Sequence, residues 1–169
     1  MDYIWSPWRS QYIQGFKEEG KNGAKPCFFC SAMNNPETDK EMLVVARREK
    51  CFVMLNRYPY NSGHSLIAPF RHVGELDELT TEELTNMILT VRETASVLTE
   101  YAKPHGFNIG VNVGRVSGAG VPGHFHFHVV PRWIGDTSFM PVLSEIRVVS
   151  QAVDDMQIHL SELFAKKRH

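Results

Sequence analysis

The 169-residue chain has eight histidines, and three of them, His124, His126 and His128, fall at every second position of "PGHFHFHVVPRW". Alternate side chains of an extended strand share a face. The three imidazoles therefore line one side, with Phe125, Phe127 and Val129 on the other. On a helix the same residues would fan around the axis, and the aromatic and β-branched content favours the strand. Such a face has three readings: a half-exposed polar surface, a metal site built from the three rings, or phosphoryl chemistry in which one imidazole attacks or protonates and a neighbour orients it. Thr, Lys, Ser or Glu would serve a plain polar surface equally well, so one recurring residue type weighs against the first reading. Alternate strand positions lie roughly 6.5–7 Å apart and do not automatically converge on one ion.

The preceding stretch supports the phosphoryl reading. "NVGRVSGAGVPG" places Asn112, Ser117 and several glycines, Gly120 among them, immediately before the histidines. Glycines let backbone N–H groups approach an anion closely. Joined to the histidine strand, the loop reads as a phosphate pocket.

The elements that must position these residues follow from pattern. "MLVVARREKCFVMLN" reads as two β-rich runs broken by charges, a hairpin, and "HSLIAPF" as a further strand. "TTEELTNMILTVRETASVLTEYA" is the clearest helix. Thr80 or Thr81 with Glu83 forms a capping arrangement, Leu84, Ile88, Val91, Ala95 and Leu98 recur at helical spacing, and Pro104 and Gly106 end it. "FNIGVNVG" is a strand, and residues 150–167 carry a helical pattern in Val153, Met156, Leu160, Leu163 and Phe164. Strands in meander order with few crossover helices predict an α+β fold: an antiparallel sheet of about five strands, one long helix and a C-terminal helix. One domain spanning 1–169 is expected, with residues 1–26 as an N-terminal arm and loop and 150–169 as the closing helix. Trp5, Trp8 and Arg9 in the arm read as core or interface packing.

Composition narrows the class. With 43% apolar residues the chain can bury a core unaided, and a formal net charge of −1 leaves no electrostatic footprint for nucleic acid or an anionic membrane. No apolar run approaches the ~20 residues of a membrane helix, and the first residues lack the pattern of a secretory signal. Three cysteines, two of them in "PCFFC", argue for a reducing compartment, so a cytoplasmic location is expected. Cys27 and Cys30 have the spacing of half a zinc site or a redox pair, and a thioredoxin-like strand–helix context is absent. His72 and His124 are distant candidates for the missing ligands. Cys51 reads as a buried strand residue.

"HFHFHVV" resembles the signature of the histidine triad (HIT) superfamily of nucleotide hydrolases and transferases: His, apolar, His, apolar, His and two apolar residues. "LNRYPYNSGHSLIAPFRHVGELDEL" is similar to that family's first strand pair and the opening of its helix. "GFNIGVNVG" is similar to its strand and phosphate loop. "PWRSQYI" and "VPRWIGDTSFM" look most like bacterial members related to diadenosine tetraphosphate phosphorylases. The resemblance implies a HIT-like fold and cleavage of dinucleoside polyphosphates through a covalent nucleotidyl-histidine, with water or phosphate as acceptor. His126 matches the family nucleophile and His128 the phosphate-contacting third member. Asn112 matches a residue on the phosphate or leaving-group side, Asn56 one placed against the nucleoside, and His64 a histidine that supports the triad. Ser117 and Gly120 fall in the phosphate loop, and Arg132 and Trp133 are candidates for the distal part of the substrate. Members with the same cysteine pair, and the related galactose-1-phosphate uridylyltransferases, imply that Cys27, Cys30, His72 and His124 hold a structural zinc. The family also implies a homodimer formed through the long helix and sheet edge. Three other readings stay open: an adenylated-amine hydrolase, a uridylyltransferase, and a non-catalytic nucleotide-binding, zinc-scaffolded protein.

Overall fold

The computed structural model describes residues 27–136 and 152–167. The expected N-terminal arm, with Trp5, Trp8 and Arg9, lies outside the described residues, as does the end of "VPRWIGDTSFM". The described residues form five strands: β1 (Val44–Arg47), β2 (Cys51–Leu55), β3 (Ser65–Pro69), β4 (Gly106–Val111) and β5 (Phe127–Arg132). They pair antiparallel throughout in the order β1-β2-β3-β5-β4. The helices are α1 (Phe28–Asn34), α2 (Thr81–Ala102) and α3 (Val153–Lys166). The α+β antiparallel sheet expected from the sequence forms, but it is not a simple meander: β5 inserts between β3 and β4, so the connection through α2 carries the chain to the far edge. The cysteine pair also opens α1, a short helix absent from the sequence pattern.

The sheet has two unlike faces. Cys51, Val53, Leu55, Ile67 and Val129 point toward α2 and α3, where they join Met87, Val91, Leu98, Met156, Leu160 and Phe164 in the larger core. Phe52, Met54, Leu66 and Ala68 point the other way and pack against Phe29 and Ala32 of α1. Because both faces are covered, β2 and β3 are buried along their whole length and show no alternation of apolar and polar residues. His128 stands directly opposite Leu66 in the ladder. The histidines thus belong to the α1 face.

Thr80 caps α2 as expected, its hydroxyl accepting from the Glu83 N–H while the Glu83 carboxylate accepts from the Thr80 N–H. The predicted apolar stripe of this helix is rotated from the buried one. Ile88 is half exposed, and the inward face is Met87, Thr90, Val91, Thr94, Val97 and Leu98. The two threonines go inward because their hydroxyls donate to the carbonyls one turn back, at 2.8 Å each, and so carry no unmet polar group into the core. Cys51 is fully buried as expected, with its thiol pushed up to about 11, first by burial.

The "HFHFHVV" stretch departs from expectation at its start. The strand expected from His124 begins at Phe127, and His124–His126 stay outside the ladder. The alternation survives nonetheless, with Phe125 in the larger core opposite the histidines. Pairing with β3 stops because the next β3 residue opposite this segment that would donate is Pro69, which has no N–H. The Phe125 N–H turns instead to the Val73 carbonyl at 2.6 Å.

Two expected outcomes follow from these contacts. Arg71 grips both oxygens of Glu83 at 2.7 Å, and this, followed by the Thr80 N–H, holds the carboxyl at about 2, below its ordinary value of 4.5. A carboxylate depressed in the folded state stabilises fully above its unfolded pKa, and that stability is lost as pH falls through the folded one. Glu83→Gln therefore lowers the thermal midpoint at pH 7, and the gap to the parent protein closes between pH 4.5 and 2 in melts recorded across that range. At the turn before His64, Gly63 has φ +77°, and a Cβ there would meet Leu98 at 3.0 Å and Pro131 at 3.2 Å. Gly63→Ala should cost about 1–3 kcal/mol in denaturant unfolding, from backbone strain and crowding together.

Candidate active site and metal cluster

The three histidines share one side of the chain but not one environment. His124 and His126 are buried, whereas His128 is half-buried. His126 Nδ1 lies 2.8 Å from the His124 carbonyl oxygen. A carbonyl only accepts, so the ring hydrogen sits on Nδ1 and Nε2 keeps its lone pair. Burial lowers the His126 pKa, which keeps the ring neutral near pH 7. The His126 and His128 rings lie 4.9 Å apart.

Backbone donors also set the state of His128. The Tyr60 N–H donates to His64 Nδ1 at 3.1 Å, so a neutral His64 carries its hydrogen on Nε2. That Nε2–H points at His128 Nδ1, 2.9 Å away. A neutral His128 then carries its own hydrogen on Nε2, and the atom 3.4 Å from it is the Asn112 amide nitrogen, a second donor. Asn56 reinforces the arrangement: its Oδ1 accepts the Tyr58 N–H at 2.9 Å, which turns its amide nitrogen toward His64 Nδ1 at 3.3 Å. The face therefore offers a lone pair at His126 Nε2 beside a donor at His128 Nε2. A nucleophile and an oxyanion partner on a phosphorus centre need that combination.

Cys27, Cys30, His72 and His124 converge on a second point, with their ligand atoms all within 4.8 Å of one another. Sγ of Cys30 lies 3.2 Å from His72 Nδ1 and 3.7 Å from His124 Nδ1, and Sγ of Cys27 lies 3.4 Å from His124 Nδ1. Tetrahedral zinc with Zn–S of about 2.3 Å and Zn–N of about 2.0–2.1 Å spaces sulfur and nitrogen ligands about 3.5 Å apart, so the donor set fits a metal of that kind. His124 donates its Nε2–H to the Pro69 carbonyl at 2.9 Å, the outer partner common to metal-bound histidines, which leaves Nδ1 for the cluster. Its pKa is lowered to about 4, mainly by burial, so the lone pair is available at neutral pH. The Cys30 thiol is pushed up, first by burial and then by neighbouring Cys27, a balance that a divalent cation reverses.

The structure brings His64, Asn56, Asn112, His126 and His128 together and assembles the four cluster residues. Ser117 lies in a helical turn of the glycine loop, its hydroxyl donating to the Gly114 carbonyl at 2.8 Å, and Gly120 lies farther along that loop. Arg132 and Trp133 are engaged elsewhere. Arg132 pairs with Asp136 at 2.6 Å and donates to Asn108 at 2.8 Å, and the Trp133 indole donates to Ala102 at the end of α2. Arg132 stands four residues along β5 from His128, about 13 Å at strand rise. Two residues escaped the sequence reading. Tyr60 stacks on His64 at 4.8 Å and on His128 at 6.2 Å, its signal being an aromatic in the turn before a histidine. Phe29 lies against both His124 and His126 and is visible in sequence only as an apolar residue between two cysteines.

A family model for the HIT domain matches residues 37–133. The AP-4-A phosphorylase of Mycobacterium tuberculosis, strains CDC 1551 / Oshkosh and ATCC 25618 / H37Rv, is 34% identical over 167 residues, covering 97% of this chain and 85% of that protein. Two solved structures share the fold. A Zn-bound histidine triad family protein from Mycobacterium smegmatis gives a TM-score of 0.66 at 23% identity, over 85% of this chain and 96% of that one. A hypothetical histidine triad nucleotide-binding protein from Sulfolobus tokodaii strain7 also gives 0.66, at 26% identity, over 83% and 93%. With its histidines on the α1 face of a five-stranded antiparallel sheet and its sequence matched across the family model, the chain belongs to the HIT domain family.

Proposed function

We propose that this protein is an enzyme that cleaves dinucleoside polyphosphates such as diadenosine tetraphosphate through a covalent nucleotidyl-His126 intermediate. The observation that carries this reading is the 2.8 Å contact from His126 Nδ1 to the His124 carbonyl, which leaves the buried, neutral ring with its Nε2 lone pair. A neutral imidazole can approach a phosphate ester that repels anionic nucleophiles. Nε2 attacks the α-phosphorus, an N–P bond forms, and the bond to the leaving nucleotide breaks with its electron pair staying on oxygen. His128 Nε2–H and the Asn112 carboxamide hold the phosphoryl oxygens, and the glycine loop around Gly120 closes over them. Water or inorganic phosphate then takes the nucleotidyl group and returns the lone pair to His126. Asn56 and His64 set the donor state of His128, with Asn56 on the nucleoside side. The similarity to an AP-4-A phosphorylase supports this substrate class.

Cys27, Cys30, His72 and His124 hold a zinc in this reading. Four protein ligands close its coordination, so it supplies fold stability rather than a reactive open site. A homodimer through α2 and the β4 edge is supported by half-exposed Ile88, Leu89 and Ile109. The cytoplasm, where the thiols stay reduced, is the compartment that suits this site.

The test is product analysis with diadenosine tetraphosphate, with and without inorganic phosphate. ADP that appears only with phosphate identifies a phosphorylase, and AMP with ATP in plain buffer identifies a hydrolase. Absence of turnover on every dinucleoside polyphosphate tried overturns the substrate class. His126→Ala should lower kcat by about a thousandfold or more while its melting curve stays close to the parent's. For the metal, elemental analysis should give one zinc per chain and well under one in Cys30→Ser, with a lower thermal midpoint. Equal zinc in the two proteins removes Cys30 from the ligand set.

A further inference from the structure

α1 has a physical problem. Its seven residues are too few to hold a helix in isolation, and its N-cap position is Cys27, which makes no side-chain cap hydrogen bond. Contacts at both ends hold it instead. At the N-terminal end, Cys27 and Cys30 reach the cluster with His72 and His124. At the C-terminal end, Arg47 donates to the Ala32 carbonyl at 2.6 Å and the Met33 carbonyl at 3.1 Å, its guanidinium braced by Asp39. This short element delivers two fully buried side chains to the protein interior, Phe29 and Ala32, and Phe29 is the one that meets the histidines.

Phe29 is fully buried, and its position is specific. Its ring centroid lies 4.9 Å from that of His126 and 5.0 Å from that of His124, tilted by 42° to each. Behind it stands Phe52 of β2 at 6.3 Å, edge-on. His126 is thus bounded by the His128 ring at 4.9 Å, by Phe29, and at its Nδ1 by the His124 carbonyl. The carbonyl bond defines which nitrogen is protonated, but one hydrogen bond still allows the ring to rock about it. A fully buried aromatic wall at contact distance removes that freedom.

The same residues connect the metal cluster to this ring by two routes. Cys27 and Cys30 flank Phe29 in sequence, so fixing the cysteines fixes the wall. His124 enters the cluster through its side chain while its backbone carbonyl accepts from His126.

We infer that Phe29 is a positioning residue for His126, and that the Cys27–Cys30–His72–His124 cluster orients the reactive imidazole through it as well as stapling the fold. The inference rests on the reading of His126 as nucleophile, and the experiment separates the two.

Phe29→Leu keeps an apolar side chain of similar size and removes the flat wall, and Phe164→Leu makes the same change in the core on the opposite face of the sheet. Both variants are compared with the parent for thermal midpoint, zinc content, steady-state kcat and KM on diadenosine tetraphosphate, and the nitrogen-15 resonances of the His126 ring. Phe29→Leu is expected to lower kcat by about 10- to 100-fold, the scale of a small misplacement of a reacting group. Its KM should stay within about twofold and its zinc content at the parent level, while the His126 ring signals move from one fixed tautomer toward an averaged one. Phe164→Leu should lose thermal stability with kcat and ring signals unchanged. The inference is overturned if kcat falls no further in Phe29→Leu than in Phe164→Leu, or if the His126 signals in Phe29→Leu match the parent's. A fully active His126→Ala overturns the nucleophile itself, whatever the Phe29 result.

Discussion

One hydrogen bond, from His126 Nδ1 to the carbonyl of His124, ties the chemistry of this protein to its architecture. A free imidazole presents either nitrogen and rotates. Bound to a backbone carbonyl two residues earlier, it presents only Nε2 as a lone pair. The carbonyl is itself immobile because His124 is anchored three ways: its Nε2–H donates to Pro69, its Nδ1 faces two cysteine sulfurs, and its flanking residue Phe125 donates its N–H to Val73. The break in β-pairing at Pro69 makes this possible. Had the strand continued, the backbone at 124–126 would be committed to the sheet.

The sheet separates structural and chemical duties by face. The side toward α2 and α3 is apolar and includes threonines whose hydroxyls are satisfied within their own helix. The other face carries the buried imidazoles, and burial there imposes strict pairing because an unpartnered buried donor or acceptor costs about 1–3 kcal/mol. Among the described residues, no buried side-chain nitrogen or oxygen lacks a partner. The chain from the Tyr60 N–H through His64 to His128 shows the consequence. A backbone group at one end sets the tautomer of a ring at the other, so the state of the site is built in before any substrate arrives.

Particular elements show how much of this was legible beforehand. The histidine face was readable because period two is a local property of an extended chain, and it holds even where the ladder does not. The capping of α2 at Thr80 was readable for the same reason. Its buried stripe was not, because hydrophobicity alone ranks Ile88 above Thr90, whereas the core admits a threonine that hydrogen-bonds its own helix. Arg132 and Trp133 lay close to the histidines in sequence, but β5 carries them away from His128, and Asp136, Asn108 and Ala102 occupy their polar groups.

The amino-acid sequence by itself determined the residue types, their alternation and the order of the elements, since these depend on neighbours a few positions apart. The tertiary structure alone decided what each histidine does. Cys27 and His124 are 97 positions apart, and His64 and His128 are 64 apart. No local pattern encodes which imidazole meets sulfur, which meets a carbonyl and which meets another ring. Chain topology decides that, by laying α1 across the sheet face and placing β3 beside β5, because a hydrogen bond or a metal contact acts only over a few ångströms.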